Sequence, residues 1–219
     1  VSRLMGDIHP DGNPHYLLDP LNGLRVAELL RFRFSALFPE DEELFTDRYA
    51  SFRQALGRAI VGDALAERYD FEKLATLAAN RRLVPFLESQ NETNILGGWL
   101  GKMRPHYGTK LIADHQMWAY FTNFFGLRVM SRLEPLPGIP PTTKHLRDVV
   151  RLVNTTNIPA LLVVSYYDPR YAEFVVDKTG VAVVQMAHQC NAHPGTENYL
   201  DLISYNVAQI SGTLNRSGG

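Results

Sequence analysis

The chain has 219 residues, of which 45% are hydrophobic and 21% charged, and its formal net charge at pH 7 is −1. These values are typical of a globular protein with one large domain or two small lobes. The basic residues are scattered and balanced by acidic ones, which argues against nucleic acid and anionic membranes as partners because both attract a basic excess.

The first half of the chain is predicted to be largely helical. A loop rich in proline and glycine over 6–20 precedes a helix over 21–37. Acidic residues then open a long helix over 40–68, where the helix dipole favours them, and apolar residues recur along it at helical spacing. Residues 70–104 are predicted to form one or two short helices and a glycine-containing turn.

From residue 108 onward, apolar runs of strand length alternate with stretches of helical periodicity. Such alternation predicts an α/β fold with a parallel sheet and helices on both of its faces. Ligands of such sheets bind beyond the carboxyl ends of the strands. The predicted strands cover 109–114, 127–133, 160–165 and 181–186, and the predicted helices cover 115–126, 143–157, 168–180 and about 196–212.

The single cysteine, Cys190, excludes an internal disulfide and a CxxC zinc motif, but it leaves the cellular compartment open. No apolar run reaches the roughly 18–20 residues that span a bilayer. The chain does not open with a signal peptide, and we expect its first residues to continue from a preceding segment.

Three of the seven histidines stand where a ligand would bind. His115 directly follows the first predicted strand and His188 the fourth, so both belong at the carboxyl edge of the sheet. His15 lies in the early loop, which could carry it to the same edge. Neutral imidazole is the commonest protein ligand of zinc, and the dipole of a helix opening at His115 would keep that ring neutral. Taken singly, a histidine at a strand end is more often a capping or hydrogen-bonding residue than a metal ligand.

The other histidines and the carboxylates at strand ends give weaker signals. His145 and His106 are predicted to be surface residues, and His9 and His193 are solvated loop residues or weak additional ligands. Two carboxylates at strand ends, Glu134 and Asp168, could be oxygen ligands, a general base or solvated caps.

Other chemistries find no support in the sequence. It contains no dinucleotide-binding glycine motif after a strand, no P-loop and no GxSxG nucleophile elbow. Cys190 lies two residues from His188, whereas a catalytic Cys/His pair is usually distant in sequence, so a thiol nucleophile is disfavoured.

Four segments resemble the ZnuA/TroA-like metal-specific solute-binding proteins of bacterial ABC importers, and they occur in the same order. Together they extend the resemblance over essentially the whole chain. The Asn-Pro-His-Tyr motif followed by Leu-Asp-Pro is specific, as is the Glu-Pro-x-Pro-Gly-Ile-Pro-Pro loop before a capped helix. The segments are GNPHYLLDP (12–20), ADHQMWAYFTNFFGL (113–127), LEPLPGIPPTTKHL (133–146) and SYYDPRYAEFVVDKTG (165–180).

The resemblance implies two α/β lobes joined by a long rigid helix, with a metal ion in the cleft between them. Residues 1–39 would then be the end of the N-terminal lobe, 40–68 the linking helix and 69–219 the C-terminal lobe. Most of the N-terminal lobe, including the family's first histidine ligand, is absent from this sequence, so the chain is expected to be a fragment.

The resemblance also assigns the ligands. His15, in the Asn-Pro-His motif, and His115 take two of the family's ligand positions. The loop after the last strand reads Met-Ala-His-Gln where many relatives have an acidic residue, so His188 is expected to replace the carboxylate. If Ala187 occupies that position instead, His193 is the fallback.

The function that the resemblance implies is that of an extracytoplasmic or periplasmic protein, secreted or lipid-anchored and monomeric, that delivers a metal to an ABC permease. Histidine nitrogens favour zinc over manganese, with nickel or copper as less favoured alternatives. The protein is not expected to be an enzyme. The competing hypotheses are a zinc hydrolase with Glu134 or Asp168 as general base, and an adhesin-type interaction protein on the same fold.

Overall fold

The computed structural model describes residues 12–136 and 138–217. They form two compact units, one from 12–16 together with the chain from His106 onward, and a helical one over Leu17–Pro105. The predicted lobe boundaries at 39 and 68 both lie inside the helical unit, and that division of the chain stays a prediction. No helix in the described parts is long and apolar enough to cross a membrane.

The helical unit begins where the sequence places a cap and a proline together. The Asp19 side chain accepts a hydrogen bond from the backbone N–H of Leu21, and Pro20 occupies the first helical position, where no N–H is needed. This confirms the helix predicted over 21–37. The helices of the unit are α1 Pro20–Leu37, α2 Glu42–Val61, α3 Asp63–Arg68, α4 Phe71–Ala79, α5 Leu83–Ser89 and α6 Gly98–Met103.

The helix predicted over 40–68 is interrupted at Gly62, which separates α2 from α3. Gly62 has φ +84°, and a Cβ atom there would lie 2.8 Å from the Cα of Gly97. The Gly97 N–H donates to the carbonyl of Val61 at 2.9 Å. Because only glycine permits this approach of two backbones, the contact ends α2 although the apolar period continues through the buried Leu65.

The other unit contains a four-stranded sheet in the order β2-β1-β3-β4, with every neighbouring pair parallel. This confirms the predicted α/β fold class. Each strand is followed by a helix, as right-handed crossover connections require. The strands are β1 Lys110–Ala113, β2 Arg128–Arg132, β3 Ala160–Val163 and β4 Ala182–Gln185, and the helices are α7 Ala119–Phe125, α8 Thr143–Thr156, α9 Pro169–Thr179 and α10 Tyr199–Ser217.

The sheet is covered on both faces. All four residues of β3 are buried, as its uninterrupted apolar sequence predicts. On one face, Leu161 packs with Val153 of α8 and Val175 of α9 in a cluster of buried core residues. On the other face, α10 contacts β4, where Val184 is buried. The helices therefore leave the carboxyl ends of the strands as the edge where a site can form.

Candidate metal centre

The ends of three strands are joined at Asp114, the residue after β1, whose side chain is 3% exposed. Its two carboxylate oxygens accept backbone hydrogen bonds from His115 and from Val164, both at 2.6 Å. Its own carbonyl accepts from the N–H of Glu134, which follows β2, at 3.0 Å. Asp114 thereby fixes the backbone positions of His115 and Glu134.

Burial also changes the acidity of this carboxyl group. It raises the pKa of Asp114 to about 6, and the two backbone donors at Val164 and His115 offset part of that effect. Sequence reasoning did not single out Asp114, although an acidic residue directly after a buried strand was the available signal.

His115 is 4% exposed, and its Nδ1 is hydrogen-bonded to the carboxylate of Glu134. The same carboxylate accepts from the hydroxyl of Tyr167 at 2.7 Å and from the N–H of Gly138 at 2.6 Å. Burial, together with the Glu134 hydrogen bond, raises the pKa of Tyr167, which keeps it a donor. Because a carboxylate only accepts hydrogen bonds, Nδ1 of His115 is the donor in this contact, and in the neutral ring the lone pair suited to a metal is then on Nε2.

His15 reaches the same place from the early loop. Asn13, two residues before it, accepts from the His15 N–H at 2.9 Å and donates to the carbonyl of Gln116 at 3.0 Å. The rings of His15 and His115 lie edge to face with centroids 6.3 Å apart. Two of the three predicted ligands are therefore brought together, with Asn13 as a positioning residue that sequence reasoning did not identify.

His188 lies further along a row of aromatic rings. Centroid distances are 5.4 Å from His115 to Tyr167, 5.1 Å from Tyr167 to Tyr166 and 4.8 Å from Tyr166 to His188. Burial lowers the pKa of His188, so its ring is neutral at pH 7. Within 12–136 and 138–217, no group of three or more His, Cys, Asp or Glu side chains is arranged to hold a metal ion. The structure thus brings together a histidine pair rather than the predicted trio.

The loop that carries His188 is anchored at the residue before it. Ala187 is fully buried, and the side chain of Asn206 both accepts from its N–H at 2.8 Å and donates to its carbonyl at 2.7 Å. His193, the fallback ligand, stacks on Tyr205 with centroids 5.1 Å apart and hydrogen-bonds through Nε2 to a serine hydroxyl.

The carboxylate of Asp168 is not free, because it caps a helix and forms an ion pair. It accepts from the backbone N–H of Arg170 at the start of α9 and forms an ion pair with the same arginine. That partner lowers the pKa of Asp168. Neither an oxygen ligand nor a general base is therefore available at this position without breaking the ion pair.

Three histidine predictions need correction, and His9 lies outside the described residues. His115 does not open a helix, because α7 begins only at Ala119, so the carboxylate of Glu134, and not a helix dipole, is the group that acts on its ring. His106, predicted on the surface, is 8% exposed because it follows buried Met103 by one helical turn. His145 is half-buried, and its Nε2 is 2.8 Å from the carbonyl of Arg132.

Comparisons with known proteins agree with this fold. The model of the family described as "ZnuA: Zinc-uptake complex component A periplasmic" matches residues 100–213. The match includes His115, Glu134 and His188, but it begins after the early loop that contains His15. No curated protein matches the chain in sequence.

Solved structures match nearly the whole chain. A mutant of the laminin-binding adhesin Lmb from Streptococcus agalactiae is 16% identical with a TM-score of 0.65, over 96% of this chain and 66% of that one. FpvC from Pseudomonas aeruginosa in complex with Mn²⁺ is 16% identical with a TM-score of 0.63, over 94% and 62%. A crystal structure of ZnuA is 14% identical with a TM-score of 0.59, over 94% and 60%. At these identities the likeness is one of fold, and the chain spans 60–66% of the length of these structures.

Proposed function

This chain belongs to the ZnuA family of metal-binding periplasmic solute-binding proteins, and on that premise we propose that it carries a metal ion to a membrane permease. It captures a divalent transition metal, zinc in preference to manganese, and delivers it to an ABC importer. It acts outside the cytoplasm, as a monomer and without turnover. The ligands from this chain are His15, His115 and His188.

The observation that carries the proposal is the support of His115 by Glu134. A ligating imidazole is typically held by a carboxylate on its other nitrogen, which fixes the ring and makes the free nitrogen more basic. Glu134 is itself held by Tyr167 and Gly138, so His115 is oriented before any metal arrives. His15 stands beside it with its ring centroid 6.3 Å away.

The preference for zinc follows from the available donors. Imidazole suits zinc, copper and nickel, whereas manganese prefers carboxylates and water. The two carboxylates nearest the pair, Asp114 and Glu134, are already engaged by backbone N–H groups, a tyrosine and an imidazole. Zinc is therefore preferred to manganese on this donor set, and nickel and copper, which also suit imidazole, stay the less favoured alternatives.

His188 is the proposed third ligand from this chain. Its neutral ring requires no deprotonation at pH 7, and the Asn206 clamp on Ala187 fixes the start of its loop. A zinc hydrolase is the weaker alternative, because its two candidate bases are occupied. Asp168 is paired with Arg170, and Glu134 accepts from three donors.

The test is isothermal titration of zinc at pH 7.5 into the parent chain and into His15→Ala and His115→Ala variants. One site, lost or strongly weakened in both variants, is the expected result. His145→Gln is the matched control, because it removes a histidine of the same unit while keeping a donor toward the carbonyl of Arg132. Zinc binding that survives both alanine substitutions, or that is lost equally in the control, would overturn the ligand assignment.

A further inference from the structure

A cavity of about 570 Å³ opens on the face of the sheet that carries α8 and α9. Its volume lies in the range of small-molecule sites in proteins. Valines of β3 and β4 form an apolar floor, the proline-rich loop before α8 supplies one wall, and one face of α9 supplies another. The side chains that decide what the cavity could bind are Val163, Val183, Tyr171, Ala172, Glu173 and Asp177.

The cavity exists because α9 leaves the edge strand partly uncovered. Val183 is paired in register with Leu161, so it faces the same side of the sheet, yet it is 39% exposed. The middle of the lining face of α9 carries Ala172, whose small side chain leaves room above the floor. An exposed valine at the base of a recess is apolar surface that a ligand can cover.

The charge of the lining is of one sign. Among the residues that the structure describes, five carboxylates and no lysine, arginine or histidine line the cavity. Asp114 and Glu134 are held by their own hydrogen bonds, and Asp168 is balanced by Arg170. The remaining two stand one helical turn apart at the rim, on α9.

These two, Glu173 and Asp177, are exposed and make no hydrogen bond or ion pair within the described part of the chain. Like charges four residues apart on a helix repel each other, so a bound cation would relieve an unfavourable contact. Tyr171, also in the lining, packs against the core cluster and adds apolar surface to the cavity.

We propose that this cavity binds a small amphipathic organic cation. The apolar body covers Val163 and Val183, and the charged group lies against Glu173 and Asp177. An anion is disfavoured by the carboxylates, and a neutral molecule of the same shape gains only the apolar contact. Neither histidine of the pair lines the cavity, although Asp114, Glu134 and Tyr167 belong both to its lining and to the support of His115.

The test uses the metal-free full chain, ¹⁵N-labelled and kept in chelator so that an amine has no metal to coordinate. Cyclohexylmethylammonium is titrated and compared with cyclohexylmethanol and cyclohexanecarboxylate, which match its frame but are neutral and anionic. We expect the ammonium to bind most tightly, with shifted amide signals at β4 and the start of α9, and with affinity that falls as salt is added.

Two variants separate charge from shape. Glu173→Gln with Asp177→Asn should raise the Kd of the ammonium several-fold while leaving the alcohol unchanged, and Ala172→Leu should weaken both by filling the recess. Glu40→Gln with Glu43→Gln, two exposed positions of the helical unit, is the charge-matched control. The proposal is overturned if the ammonium does not bind, if it binds no better than the alcohol, if its shifts map elsewhere, or if the charge variant and the control behave alike.

Discussion

Replacing Glu134 by glutamine would separate the shape of this side chain from its charge. The carboxylate accepts from His115 and Tyr167 on one oxygen and from Gly138 on the other. Glutamine has one accepting oxygen and one donating amide. If the oxygen faces His115, the amide opposes the Gly138 N–H, donor against donor. If the amide faces His115, Nδ1 must accept, and the ring proton moves to Nε2, the nitrogen that would bind the metal.

Either orientation of the amide is expected to reduce metal affinity and folding stability by amounts that can be estimated. Loss of the group that orients a ligating histidine typically weakens metal binding by about 10–100-fold, which corresponds to roughly 1.4–2.7 kcal/mol. Loss of the hydrogen bond from the Gly138 N–H, which lies at an exposed position, costs about 0.5–1.5 kcal/mol of folding stability. We therefore expect Glu134→Gln to reduce both zinc affinity and the free energy of unfolding.

The assay is competition titration of zinc against a chromophoric chelator at pH 7.5, with urea unfolding of the same samples. Asp148→Asn, which changes an exposed carboxylate of α8 paired with Arg151, is the control for loss of one negative charge. A folded Glu134→Gln variant with the parent's zinc Kd would refute the reasoning that Glu134 sets the tautomer of His115.

Three further outcomes are expected. Gly62→Ala should lower the free energy of unfolding by about 1–3 kcal/mol more than Gly108→Ala. Both glycines have similar positive φ, but only at Gly62 would an added Cβ meet the backbone of Gly97. Equal losses of unfolding free energy in urea would contradict this close approach. Burial raises the pKa of Asp114 to about 6, above its unfolded value, so its contribution to stability is present at low pH and is lost as pH rises from about 4 to 6. In urea unfolding across that range, Asp114→Asn should lack this part of the slope, and an unchanged slope would be inconsistent with a buried, titrating carboxyl group. His188→Ala should weaken zinc binding at pH 7.5. The zinc affinity of the parent chain should also fall between neutral and mildly acidic pH, because protonated imidazole does not ligate. If neither change alters the zinc affinity, His188 is not a ligand.

Helices and strands that are determined by the residue pattern within their own segment could be predicted from the sequence. The apolar run of β3 marks a strand buried on both faces, and α8 is marked by Leu146, Val149 and Val153 at helical spacing. The interruption of α2 could not be predicted, because the apolar period runs past Gly62 and the break depends on Gly97, which is distant in sequence. The alternation of strands and helices was enough for the fold class, since few parallel topologies satisfy right-handed connections.

The candidate site was predictable only in part, for a similar reason. Strand ends and the Asn-Pro-His motif pointed to His115 and His15, which the structure places together. The role of Glu134 was missed, because its partners come from three separate positions along the chain and the side chain alone looks like a ligand or a base. His106 was misplaced since one helical turn carries it inward, which depends on how the chain returns to β1.

The unit that holds the histidine pair is assembled from two stretches of chain with the whole Leu17–Pro105 unit between them. Asn13 and Gln116, which join these stretches by a hydrogen bond, are 103 positions apart. During synthesis His15 therefore emerges long before its partner exists, and contacts of such separation form late in folding because a long loop must close first. Competence to bind metal should accordingly be among the last properties the nascent chain acquires. A piece expressed from His106 onward would keep the sheet, Glu134 and His115 while lacking the second imidazole.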